Sequence, residues 1–187
     1  MTSLKPQDVL VLLKLAVMNG GDRTYPALAA ALGLSPSEVH ASVRRAHKLG
    51  LVDADRRPIR AALLELLIHG VKYVFAVERG GMTRGLPTAH AAPPLAAEIE
   101  AGDDPPPVWP DPEGTVRGEE LKPLYRSVVK AARNDPKLYQ CLALVDAIRG
   151  GRARERQLAE KHLRELLEAS LLGSESVTRG RGSALSS

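Results

Sequence analysis

Residues Tyr25 to Val52 read YPALAAALGLSPSEVHASVRRAHKLGLV, and this stretch decides the fold. Its first helix covers about Tyr25 to Leu32. The second starts after Ser35, a good N-cap, with Pro36 in the first helical position and Glu38 placed three residues after the cap to complete a capping box. It stops at Gly50, where a left-handed cap is needed. Two helices joined by so short a turn need a small residue where they cross, a glycine in the turn and a β-branched anchor on the inner face of the second helix. Ala29, Gly33 and Val39 meet those needs in order, with Leu28, Leu32, Leu34 and Val43 as surrounding core.

Working outward, Pro6 suits a first helical turn, and Val9, Leu10, Leu13, Ala16 and Val17 follow at helical spacing until Asn19-Gly20-Gly21. A fourth helix is expected from about Pro58 to His69, closed by Gly70. Beyond it the period changes: Val71, Tyr73 and Phe75 alternate with Lys72 and Val74, which predicts a strand. Glu78 to Met82 contains two adjacent glycines and reads as a tight turn, with Thr83 to Leu86 returning as the partner strand. The expectation is a small β-hairpin with Arg79 and Arg84 near its tip.

The charge is unevenly distributed. The chain carries a formal +4, made up of +5 over residues 1–90, −5 over 91–118 and +4 over 119–187. The acidic stretch is also rich in proline, with Pro93, Pro94, Pro105, Pro106, Pro107, Pro110 and Pro112. Such density excludes regular helix, so residues 88–117 read as a linker onto which Val108 and Trp109 dock. The distinctive segment Pro87 to Pro94 reads as a rigid strap. Downstream, Leu121, Leu124, Tyr125, Val128, Val129 and Ala132 lie on one helical face, Leu138 to Ile148 reads as a central packed helix, and Ala159, Leu163, Leu166 and Leu167 line a last one. The domains expected are 1–87, a linker at 88–117, a helical unit at 118–172 for dimerisation or partner binding, and a disordered tail at 173–187.

The turn at Leu32-Gly33-Leu34-Ser35, followed by Val39, Val43, Arg44-Arg45 and Leu49-Gly50-Leu51-Val52, resembles winged helix-turn-helix regulators of the MarR type, with the following hairpin as the wing. The resemblance covers the N-terminal half only. It implies a mainly α fold with a small hairpin, and a sequence-specific transcription regulator of double-stranded DNA, a repressor acting as a homodimer. On that fold the outer face of the third helix presents Ser37, His40 and Arg44 as base readers, while Arg45 and Lys48 grip phosphate and Arg79 and Arg84 reach a neighbouring groove or backbone. Each has a plainer reading beside it: a solvated basic face, for Arg79 and Arg84 as for the helix, and a His40 that caps or fills space. Arg56, Arg57 and Arg60 read equally as a basic cluster or a surface turn.

Other classes stay open at this point: an antitoxin or autoregulatory partner of a two-gene cassette, holding another protein through the C-terminal helices, or a winged-helix module for protein interaction alone. An enzyme is not expected. His40, His47, His69, His90 and His162 show no metal-ligand spacing, and no P-loop, nucleophile elbow or dinucleotide glycine pattern occurs, so neither metal nor cofactor is called for. Cys141 lies in an apolar run and reads as a buried structural thiol. No apolar run is long enough to span a membrane, and the first residues lack signal-peptide character, so a cytoplasmic location without membrane contact is expected.

Overall fold

Three of the helices start with a proline in the first turn behind a hydroxyl or acidic cap, at Thr24, Ser35 and Asp135. The computed structural model describes residues 2–100 and 102–179, with side chains described through Ala169. Helix α1 (Pro6–Val17) is fastened by Asp8, which accepts from the Lys5 backbone N–H at 2.8 Å. Its Val9, Leu10, Leu12 and Leu13 are completely buried on more than one side, which makes α1 a core helix and not an amphipathic lid. Helix α2 (Tyr25–Leu32) is capped by Thr24 and ends at Gly33. That glycine takes φ +65°, and a Cβ there would stand 3.3 Å from the Ser127 Cβ, so the turn tolerates little else. Helix α3 (Pro36–Lys48) begins with the capping box expected of Ser35 and Glu38. It packs on α1 and α2 through Val39, Val43 and Ala46.

The next segment departs from the sequence reading. Helix α4 (Arg60–Glu65) runs through a single π turn at Leu66–Gly70 into α5 (Val71–Val74). The expected strand from Val71 to Phe75 is therefore helical. Its alternation misled because Tyr73 and Val74 are apolar but 79% and 55% exposed, so the pattern did not report burial. The expected hairpin turn is not formed either: Arg79 to Pro87 is one continuous strand, β1, with an irregularity between Arg79 and Met82 that takes up Gly80 and Gly81.

Strand β1 finds its partners far along the chain. It pairs antiparallel with β2 (Pro107–Pro110) and with β3 (Val116–Leu121), while β2 and β3 pair in parallel, closing a three-stranded barrel. The register sets Leu86 against Trp109 and Arg84 against Arg117. So tight a closure needs small residues inside: a Cβ on Gly85 would fall 2.0 Å from the Trp109 carbonyl oxygen. Residues 88–100 and 102–117 are consequently built into the fold instead of tethering two parts. Val108 and Trp109 are buried, and Thr88, Ala89 and Ala92 of the strap and Leu95 just after it are buried with them.

Helices α6 (Val128–Asn134), α7 (Pro136–Gly150) and α8 (Ala153–Arg179) complete the molecule, with α7 packed against α1, α5, α6 and α8. Residues 119–121 belong to β3, so the single amphipathic helix expected over 119–133 is a strand end, a loop and the short α6. The apolar faces expected to dimerise are spent internally: Leu121, Leu124, Val128, Ala132, Ala159, Leu163 and Leu167 all join one core with α1 and α3. Of the tail, residues 173–179 continue α8, and 180–187 lie outside the described residues. The architecture is mixed α/β, largely helical with one small three-stranded sheet.

One carboxylate holds the sheet to the helices. Asp146 on α7, 2% exposed, accepts from Trp109 Nε1 at 2.6 Å, Thr88 Oγ1 at 2.9 Å and Arg149 Nη1 at 2.6 Å. Arg149 also donates to the Phe75 carbonyl at 2.7 Å, fixing the end of α5. Burial pushes the Asp146 carboxyl above its ordinary range, against the pull of Arg149, Trp109 and Thr88. Tyr139, on the same helix and packed edge-on against Trp109, donates to the Pro87 carbonyl at 2.7 Å.

Candidate functional site

The outer face of α3 is set by what its inner face holds. Arg45 turns inward: its Nε and Nη2 reach Asp8 Oδ2 and Oδ1 at 2.8 and 2.6 Å, and Nη2 also reaches Ser42 Oγ at 3.3 Å. Asp8 is completely buried, and its bonds hold the Arg45 guanidinium above its ordinary pKa. Arg45 is thus a bolt between α3 and α1, which corrects its expected role as a phosphate contact. The signal was present in the sequence as an aspartate on a helix that is otherwise core, since a buried acid requires a basic partner.

The remaining α3 residues stand together. Ser37, His40, Arg44 and Lys48 are exposed and lie along one stripe at offsets of three, seven and eleven, with Ala41 between them. Among the described residues, the side chains of Ser37, Arg44 and Lys48 meet no hydrogen-bond or ionic partner, and His40 meets only the edge of Tyr25, ring centroids 5.2 Å apart. His47, also exposed, extends the same side. The one acid of the helix, Glu38, is turned away to Tyr125 and Arg126, and its bonds from the Ser35 backbone and hydroxyl hold its carboxyl below the ordinary range. The exposed stripe therefore carries donors and cations with no carboxylate among them.

Directly after α3 the chain makes a tight β-turn structure that the sequence reading left undecided between a basic cluster and a surface turn. Val52 and Pro58 form an antiparallel bridge, and Ile59 N–H donates to the Leu51 carbonyl at 2.8 Å. At its tip Asp53 caps the turn by accepting from the Arg57 N–H at 2.8 Å, and Arg56 sits at φ +63°. The Arg56 guanidinium lies 5.1 Å from the Tyr25 ring centroid and donates to the Arg23 carbonyl at 3.4 Å, while Arg57 is exposed. A shallow hollow of about 200 Å³ separates this tip from α3, lined by Tyr25, His40, Val43, Arg44, His47 and Arg56 among others. Arg60, the third member of the cluster, is partly buried at the start of α4 and does not join the tip.

Arg79 and Arg84 are on β1 and not on a hairpin tip. Arg79 pairs with Glu119 and donates to the Gly150 carbonyl at 3.3 Å, so its charge is answered locally. It borders a cleft of about 600 Å³, with His90, Glu155, Arg152 and Asp104 on the other walls. Those groups pair among themselves, His90 with Glu155 at 3.6 Å and Arg152 with Asp104 at 2.7 Å. Arg84 is exposed. Among the described residues no three metal-ligating side chains cluster, and no helix is long and apolar enough to cross a membrane. Cys141 is buried, its thiol pushed up to about 12 by that burial. No family model matches the chain, and no curated protein or solved structure matches it either.

Proposed function

We propose that the protein is a winged helix-turn-helix regulator that reads double-stranded DNA with α3 as its recognition helix, acting as a homodimeric repressor. The observation that carries the reading is the free, acid-less stripe of Ser37, His40, Arg44 and Lys48 on a helix whose other side is bolted to the core. A helix fits the major groove, where a guanidinium can bond two acceptors of one guanine. The turn at Leu51–Ile59 follows α3 at once and offers Arg56 and Arg57 beside it, so it is a better candidate for the wing than the segment 71–86. Arg44 then reads bases together with Ser37 and His40, and Lys48 grips phosphate. Arg45 orients the reader without touching the ligand.

The test is a mobility shift on the promoter of the protein's own gene, at several salt concentrations, with two variants beside the wild type. Arg44→Ala is expected to weaken specific binding by about 1–3 kcal/mol. Lys48→Ala is expected to weaken binding to every sequence alike and to flatten the salt slope by about 0.9. Identical behaviour of all three proteins overturns the assignment of α3. Sedimentation of the bound chain checks the homodimer, which requires two copies on an inverted repeat.

A further inference from the structure

Outside α3 the molecule has a second place where positive charge is left unanswered. Arg84 of β1 and Arg117 of β3 are direct cross-strand partners, so their side chains leave the same face of the sheet, and both are exposed. Like charges facing each other in a sheet destabilise it. A nearby carboxylate would ordinarily relieve them, yet Glu120, three residues along β3 from Arg117, leaves the opposite face of the sheet, and the other acids of this region are engaged elsewhere. Asp111 and Glu113 both bond Arg133, Glu119 bonds Arg79, and Glu78 bonds Lys122 at 2.8 Å. Among the described residues neither Arg84 nor Arg117 has a side-chain hydrogen bond or ion pair.

The pairing also fixes geometry. Strand partners hold their Cα atoms about 4.5–5.5 Å apart, close enough for two guanidinium forks to share one tetrahedral anion, with oxygen acceptors on both sides. The barrel closes through Gly85, Gly114 and Gly118, each with a neighbour's backbone too close for a side chain, so the two arginines spring from a backbone with little room to shift. A single basic side chain on a flexible loop would lack both properties.

We propose that Arg84 and Arg117 form a clamp for a phosphoryl group, contributed by the backbone of the DNA that α3 reads or by free phosphate. As a DNA contact the clamp rests on the reading of α3, adding a sequence-independent anchor on the sheet; as a free-phosphate site it stands alone. Because the two sources share one chemistry, the test has two arms, both on the full chain.

In the first arm, binding to duplex DNA of arbitrary sequence is followed against salt for the wild type, Arg84→Ala, Arg117→Ala and the double variant. Each arginine is expected to remove about 0.9 from the slope of log affinity against log salt. In the second arm, melting is compared in inorganic phosphate and in chloride at equal ionic strength. Loss of slope in the double variant supports the DNA source. A phosphate-induced rise in Tm, present in the wild type and absent in the double variant, supports free phosphate, even if no DNA is bound and the reading of α3 fails. Arg117→Glu sharpens both arms: it turns a repulsive pair into an attractive one, so it should raise Tm in chloride while abolishing the anion effect. A double variant that matches the wild type in both arms overturns the clamp.

Discussion

Two buried carboxylates hold this molecule together, and they do so in different ways. Asp8 joins helix to helix with a single bidentate arginine, whose own side chain keeps 19% exposure. Asp146 joins a helix to a sheet and a strap through Trp109 and Thr88, with Arg149 of its own helix as a third donor that is only 4% exposed. Both seams pair an acid with an arginine, but the first has one side-chain acid–arginine pair beside the Lys5 N–H, and its arginine opens to water. The second fixes two distant segments at once, 37 and 58 residues from Asp146 in sequence, where the first fixes one, 37 residues from Asp8.

Breaking the two seams should separate them. Asp146→Ala leaves a buried guanidinium, an indole N–H and a hydroxyl without their acceptor, and is expected to cost about 3–5 kcal/mol, read as a loss of Tm and of the folded fraction in urea. Arg45→Ala strands one buried carboxylate that water can partly reach, so about 2–3 kcal/mol is expected. On the proposed reading of α3, a contrast in DNA binding sharpens the second case: when assayed where it remains folded, Arg45→Ala should keep the salt slope of the wild type, whereas a phosphate contact would lose about 0.9 of it.

The smallest effect belongs to a third, shallower link between the halves, Asp135 at the start of α7 with Lys14 of α1 at 2.7 Å. Burial raises the Asp135 pKa, but the bonds from Lys14 and from the Leu138 and Lys137 N–H groups outweigh it and hold the carboxyl below its ordinary value. A depressed folded value means stability that is present above the unfolded pKa and lost as pH falls through the folded one. The Tm gap between the wild type and Asp135→Asn should therefore narrow on acidification and be widest at neutral pH.

The first three helices were legible because every signal for them is local: Pro6, Ser35 with Glu38, and Gly33 mark ends by chemistry within a turn of themselves. The same residues placed the α3 stripe, and only Arg45 was misassigned, since its partner Asp8 is 37 residues away. The sheet was illegible for the corresponding reason. Strand β1 pairs with residues 108–110 and 116–121, and no period in β1 announces partners so distant. Proline density pointed to an open linker, but Pro107 and Pro110 sit at the two ends of a four-residue strand, where a missing N–H is tolerated. Arg117, hidden in that misread stretch, could not be matched to Arg84 without the register.

Arg44 and Arg45 are neighbours in sequence with opposite fates, one reaching into solvent and one fastened to Asp8. Whatever meets α3 therefore encounters a scaffold whose attitude is settled before contact. Docking has only a few surface rotamers left to quiet, roughly 0.5–1.5 kcal/mol for each, in place of the far larger toll of ordering a loose helix.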